Sequence, residues 1–469
     1  MKLFFTTCLC LLLLPLLLHG QGIKQRVDAY LLRDLPKFNV PNMEVIVVSR
    51  DSVLYTNSIG EATSPQTPYY LGSVSKSLTA FGVLRLVEEG RLTLDQPVTT
   101  LLPTLHVTGS STPLTVRHLL NHTSGITKRA GFSALPPLWE LERTGFRLAT
   151  ASEPGQKHEY SNLNYALLGL LIEKISGRTF RQYMQEQVFA PLGMAHTFSG
   201  TAEQNEARVV AQYQYWGPFP VKSSQADYAL SAVPAGFICS SAADMGNYLQ
   251  ANLTKGTVGT RRVLDSALVA AMHTPWTNGK TGYAMGWNQG SYNGKRLLQH
   301  LGSTATSYSA IFILPDDNLG VAVLTNSNSL GFSESVVEGI LSIVTGADPP
   351  PASVTEWYGR WLVAVLAVLL AGRLVYQLAR LLRHGRAHPA ATAGKALSKG
   401  KAVRSLAVAI GCFLGIVFLF PTIAKVPFLS LLKLQPDIGL LTLLALGSPV
   451  VTTLIRTGQV LTAPLPPKG

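Results

Sequence analysis

Two kinds of apolar pattern alternate along this chain. The run MEVIVVSRDSVLYTNSIGEA (43–62) holds two stretches rich in Val, Ile and Tyr, separated by the polar triplet Arg50-Asp51-Ser52. That predicts a β-hairpin. YSAIFILPDDNLGVAVLTNS (308–327) repeats the arrangement with Pro315-Asp316-Asp317-Asn318 at the turn, and YAMGWNQGSYNGKRLLQHLG (283–302) predicts another hairpin just before it. Between the early and late strands the spacing becomes mainly helical, including 165–176 and 180–189, and a last helix is expected at about 333–344. Strands at both ends with helices in the middle predict one sheet built from the two ends, carrying a helical insertion.

Other apolar runs show neither alternation nor helical amphipathicity. MKLFFTTCLCLLLLPLLLHG (1–20) has one lysine, a leucine-rich core and small residues near Gly20 and Gly22, as a secretory signal over 1–22 would. The alternative is an uncleaved anchor. Three further runs, 361–379, 405–424 and 438–455, each approach the ~20 residues needed to cross a bilayer. They are expected to be transmembrane helices. Arg373 interrupts the first, for which a surface helix is the alternative. The segment 380–404 contains Arg380, Arg383, Arg386, Lys395, Lys399, Lys401 and Arg404 without an acidic residue, which predicts a cytoplasmic loop. The part before 361 is then extracytoplasmic, in agreement with the signal. The expected organisation is a signal (1–22), a globular domain (23–345), a proline-rich linker (346–360) and a membrane region (361–469).

Charge follows the same division. The formal net charge is +13, but residues 21–355 carry 25 Lys+Arg against 24 Asp+Glu, whereas 356–469 carry 13 against 2. The basicity belongs to the tail, where anionic lipid headgroups explain it and nucleic acid does not. Of four cysteines, Cys8 and Cys10 fall in the signal and Cys412 in an expected membrane helix. Only Cys239 remains, so no disulfide is expected within the globular domain, and its core must hold it together.

Candidate chemistry begins at LGSVSKSLTAFGVLRLVEEG (71–90), where Ser73 stands three residues before Lys76 at the expected start of an amphipathic helix. Residues three apart share a helix face, so the amine can approach the hydroxyl. A serine there also offers a free backbone N–H as one donor of an oxyanion hole. An N-cap serine beside a solvated lysine is the plain alternative. The pattern is short, and Ser398/Lys401 and Ser430/Lys433 repeat it in unpromising settings. A lysine of ordinary pKa is a poor base at neutral pH, so a second proton-transfer group is needed. HEYSNLNYALLG supplies Tyr160 and Asn162, whose amide could hold a substrate carbonyl. LLQHLGSTATSYSAIF supplies His300 and Gly302 before a predicted strand, with the N–H of Ser303 as a second oxyanion donor. His118 and His122 have the spacing of helical zinc ligands, but no acidic third ligand accompanies them, and no metal or cofactor is expected.

With these motifs in order, the chain closely resembles the serine β-lactamase-related family: class C β-lactamases, D-alanyl-D-alanine carboxypeptidases, D-aminopeptidases and esterases. The resemblance covers about 24–345 and rests on GSVSKSLTAFGVLRLVEEGRLTLDQPV, LTVRHLLNHTSGI, YSNLNYALLGLLIEKISG, VFAPLGMAHTF, AGFICSSAADMGNYL, GYAMGWN and HLGSTATSYSA. It implies an α/β fold, a sandwich of antiparallel sheet and flanking helices plus an all-α subdomain. It implies Ser73 as nucleophile, Lys76 and Tyr160 as proton-transfer pair, Asn162 as a substrate-binding residue, and His300 with Gly302 as the third motif. Class C β-lactamases usually carry Lys-Thr-Gly there, and this chain has His-Leu-Gly. A histidine, only partly charged near neutrality, would hold a substrate carboxylate less well.

The expected function is a membrane-tethered, extracytoplasmic serine hydrolase acting through an acyl-enzyme on small amides or esters, with D-amino-acid cell-envelope peptides foremost. An esterase or a weak β-lactamase is the alternative, and a non-catalytic sensor is one of another class. Expected partners are a small-molecule or short-peptide substrate and, through the C-terminal helices, the lipid bilayer.

Overall fold

Both ends of the globular part do meet in one antiparallel sheet. The computed structural model describes residues 22–384 apart from 62, 131–134, 225–227, 276–281, 329, 352 and 354, and also residue 453. Its main strands are β1 (Met43–Ser49), β2 (Val53–Ile59), β3 (Tyr283–Ala284), β4 (Trp287–Tyr292), β5 (Lys295–Ser303), β6 (Tyr308–Leu314) and β7 (Leu319–Thr325). They lie in the order β3-β4-β5-β6-β7-β1-β2. The late strands form a meander, and β7 pairs with β1 from Met43 opposite Thr325 to Ser49 opposite Leu319. The β4–β5 turn uses Asn293 and Gly294 at φ 49° and 78°, the positive pair that a tight hairpin turn requires.

Every residue of β1, β6 and β7 is buried, because helices cover both faces of the sheet. On one face, Gly246 of a helix spanning Ala242–Leu253 sits directly over Ile46 and Val48. On the other, Tyr30 in α1 (22–34) donates to the carbonyl of Ser335, and Tyr55 and Asn57 of β2 donate to Asp28 at 2.8 and 3.1 Å. The helix at Leu330–Val344 contains the expected 333–344. In the helical part, 165–176 falls within Asn162–Ser176, and 180–189 is Phe180–Met184 continued by a wide turn over Gln185–Phe189.

The helix after Ser73, α2 (Ser75–Glu88), departs from its expected amphipathic form. Its residues from Ser75 to Leu84 are all buried. The polar ones among them are satisfied internally: the Ser75 hydroxyl accepts the N–H of Ile238, and the hydroxyls of Ser77 and Thr79 donate to the carbonyls of Val74 and Pro234. Cys239, paired opposite Tyr70 in a short two-stranded ribbon, is buried and free. Burial pushes its thiol pKa well up, leaving a packing residue and not a nucleophile.

The chain separates into two compact units, one of residues up to Gln214 with Pro220–Val354, the other of Tyr215–Phe219 with Thr355 onward. The second contains a helix over Thr355–His384, which begins inside the linker expected at 346–360. Among the described residues no helix is long and apolar enough to cross a membrane. The segment 361–379 is helical within Thr355–His384, and that helix lends its expected membrane crossing no support. Apart from residues 22 and 453, the expected signal and the spans at 405–424 and 438–455 lie outside the described residues, as do most of the cationic loop and the two other Ser-x-x-Lys pairs.

Candidate active site

Ser73 lies in a single 3-10 turn, Gly72–Val74, that leads directly into α2. Gly72 holds φ 50° there, and a Cβ on it would stand 2.4 Å from the backbone nitrogen of Ser303. Gly302 on β5 is as tight: its Cβ would meet the Leu71 carbonyl at 2.1 Å and the Ser73 nitrogen at 2.9 Å. Two glycines therefore let the turn lie against the strand edge. Ser309 of β6 fastens it by donating to the Leu71 carbonyl at 2.5 Å.

The sheet register aims the Ser303 N–H. Thr304 donates to the Ser307 carbonyl at 2.9 Å, so the adjacent pair Ser303–Tyr308 is one that exchanges no ladder bonds. The Ser303 N–H then points away from β6, toward the Ser73 turn. The N–H of Ser73 itself stands at the start of its turn, where no preceding carbonyl is placed to accept it. Two backbone donors converge at the serine.

Lys76 is fully buried one turn further along, with its Nζ 3.1 Å from Ser73 Oγ and 2.5 Å from the Ala235 carbonyl. Burial holds its pKa well below the usual lysine value, because these neutral partners do not compensate a charge. Its Nζ also lies 4.8 Å from the centre of the Tyr160 ring. Burial raises the pKa of Tyr160, on the segment before α3 (Asn162–Ser176), above the ordinary phenol value, and the Ser73 side chain opposes the shift. Burial favours the neutral form of both groups. Asn162 opens α3, and its Oδ1 is buried without a partner, an acceptor free for a ligand donor.

His300 is brought into the same neighbourhood, but not as a charged group at the surface. It is 3% exposed, its Nδ1 lies 2.8 Å from the Leu301 carbonyl, and its Nε2 lies 3.4 Å from the Tyr283 hydroxyl. Burial, and secondarily Lys76, push its pKa down to about 3. The expectation of a partly charged histidine is corrected accordingly, since the ring is enclosed where an ion would be unsolvated.

The expected residues Ser73, Lys76, Tyr160, Asn162, His300, Gly302 and Ser303 thus come together from three separate parts of the chain. Residues not foreseen join them. Tyr283 lies beside His300, Ala235 supplies a carbonyl to Lys76, and His122 packs its ring 4.3 Å from that of Tyr160. The only signal for His122 in the sequence was its pairing with His118. The two have different tasks, His118 closing a capping box with Thr115. Among the described residues no three His, Cys, Asp or Glu side chains are grouped to hold a metal ion.

An antiparallel sheet covered by helices thus carries a serine at a helix start with a buried lysine within hydrogen-bond reach. Residues 25–340 match the Beta-lactamase family model, and the chain belongs to that family. It is similar to Protein flp of Staphylococcus aureus (strain MW2), 28% identical over 322 residues that cover 65% of this chain and 64% of that relative. The chain thus spans somewhat under two thirds of the length of the curated relatives it matches. Among solved structures, the octameric penicillin-binding protein homologue from Pyrococcus abyssi is 26% identical with a TM-score of 0.59, covering 72% of this chain and 80% of that one. EstCE1, a hydrolase with promiscuous acyltransferase activity, shares the fold at 22% identity and a TM-score of 0.58, over 70% of this chain and 99% of that one.

Proposed function

We propose that the protein hydrolyses small esters or amides through an acyl-enzyme on Ser73. The observation that carries this reading is the 3.1 Å approach of a buried, uncompensated Lys76 amine to Ser73 Oγ. A neutral amine can take the serine proton as the hydroxyl oxygen attacks the carbonyl, and the N–H groups of Ser73 and Ser303 receive the oxyanion. Tyr160, a neutral phenol beside Ser73, passes its proton to the leaving group and regains one from the Lys76 ammonium, and water then releases the acyl chain. Asn162 accepts a hydrogen bond from the substrate.

The neutral, enclosed His300 favours substrates that need no carboxylate anchor at the third motif, and so an esterase-like preference. The likeness to a penicillin-binding protein homologue supports a second reading, D-amino-acid cell-envelope peptides. Turnover of a neutral ester and of a D-alanyl peptide or β-lactam decides between them. The ester is expected to have the higher kcat/KM, and His300→Lys to move the ratio toward the anionic substrate. A D-alanyl peptide hydrolysed faster than the ester by the wild type would reverse the order of the two readings.

The reading also places the domain outside the cytoplasm and holds it at a membrane through the chain beyond 355. It rests on the apolar runs at 361–379, 405–424 and 438–455, the leader-like 1–22 and the cationic 380–404. A cysteine introduced near residue 390 is expected to resist an impermeant thiol reagent in intact cells, and one introduced at exposed Asp51 to react. The opposite labelling pattern would overturn the orientation.

A further inference from the structure

We infer that His122 is the positioning residue that fixes Tyr160 and Asn162 over the Ser73–Lys76 pair, an inference that rests on the catalytic reading of that pair. Its backbone carbonyl accepts the N–H of Glu159 at 2.8 Å, and its ring Nδ1 accepts the N–H of Ser161 at 3.3 Å. The residues immediately before and after Tyr160 are therefore both fastened to one histidine. Nδ1 also lies 2.8 Å from Nδ2 of Asn164, whose Oδ1 in turn receives the Ser124 hydroxyl at 2.7 Å. Ser161 is the N-cap of α3, so the same bond sets where that helix begins and where Asn162 stands.

The ring completes the clamp. Its centre lies 4.3 Å from that of Tyr160, 4.8 Å from Tyr283 and 5.3 Å from Tyr165. The Tyr160 ring thus packs against His122, with Lys76 Nζ 4.8 Å from its centre. Acceptance of two N–H donors at Nδ1 fixes the tautomer with the proton on Nε2, and that atom is buried without a protein partner. A core histidine with only a packing role would not need φ 54°, a left-handed backbone that side-chain-bearing residues rarely adopt. Here that conformation turns the carbonyl and the ring nitrogen toward the same strand of backbone. His122 bonds the segment that carries Tyr160 and Asn162, not Ser73, and acts through those two residues.

Two substitutions separate the acceptor from the ring. His122→Asn tolerates the positive φ and places Oδ1 where Nδ1 stood, while His122→Phe keeps the aromatic contact and loses the acceptor. His122→Phe is expected to lower kcat on a neutral ester about 10- to 100-fold with KM within about threefold, because a displaced Tyr160 costs orientation and not binding. His122→Asn is expected to stay within about fivefold of wild-type kcat, at a melting temperature similar to that of His122→Phe. Wild-type kcat in His122→Phe, or an equal fall in both variants, would overturn the inference. If His122→Phe is too unstable to assay, His122→Asn decides alone, and a loss beyond about tenfold overturns it. Fluorophosphonate labelling of wild-type Ser73 in parallel separates the two failures: an unlabelled wild type sinks the catalytic reading and the clamp with it, whereas normal labelling confines a failure to His122.

Discussion

Lys76→Ala is expected to lower turnover about 10²–10⁴-fold while leaving the sheet and the melting transition largely in place. The lysine is buried with no exposed surface, and its amine bonds only neutral groups, Ser73 Oγ and the Ala235 carbonyl. It contributes little to stability as an ion pair, because the desolvated charge would be costly and the neutral form is favoured. Lys76→Arg should fail as completely, since a guanidinium cannot give up its proton to act as base. The acid limb of kcat/KM should accordingly report loss of the Lys76 proton and lie well below the ordinary lysine pKa. Activity that rises only above about pH 10 would contradict a neutral Lys76.

Gly302→Ala is expected to cost about 10²–10³-fold in kcat, the scale of one lost oxyanion donor. The new methyl would stand 2.1 Å from the Leu71 carbonyl, 2.7 Å from Ser309 Oγ and 2.9 Å from the Ser73 nitrogen. Two of those three are backbone atoms and cannot swing aside. The Ser73 turn must therefore lift from β5, which separates the N–H groups of Ser73 and Ser303 that the mechanism needs together. Gly290→Ala, on β4 with nothing within 4 Å of the added carbon, is the matched control and should leave kcat unchanged. Steady-state kinetics on one ester with both variants makes the comparison, and full activity in Gly302→Ala would remove the strand edge from the mechanism.

Much of the fold was legible in the chain because its hairpins are runs rich in Val, Ile and aromatic residues joined by polar turns, as at Pro315–Asn318. What escaped did so for physical reasons. Helix 22–34 follows a leader-like run that masks its start, and β3 is two residues long, too short for any period. The helix after Ser73 was expected to be amphipathic because it mixes Ser, Lys and Thr with apolar residues. It is buried all round, since segment 234–238 supplies bonding groups for Ser75, Lys76 and Thr79. A backbone carbonyl acceptor of that kind leaves no mark on residue identity: Ala235 lies 159 residues from Lys76 and could be any residue. The Ser73, Tyr160 and His300 motifs were visible as polar residues in ordered flanks, but the state of His300 was not. Its charge depends on enclosure by Tyr283 and on proximity to Lys76, both set by packing. His122 was seen only as half of a pair with His118, because a ring nitrogen that accepts a neighbouring main-chain N–H has no spacing rule.

The account stands on Ser73 as the acylated residue, and intact-mass analysis with peptide mapping after fluorophosphonate exposure tests it most directly. A single adduct is predicted, on the peptide that contains Ser73, absent from Ser73→Ala and formed slowly in Lys76→Ala. Undiminished labelling of Ser73→Ala, or an adduct mapped to another serine such as Ser398, would contradict it.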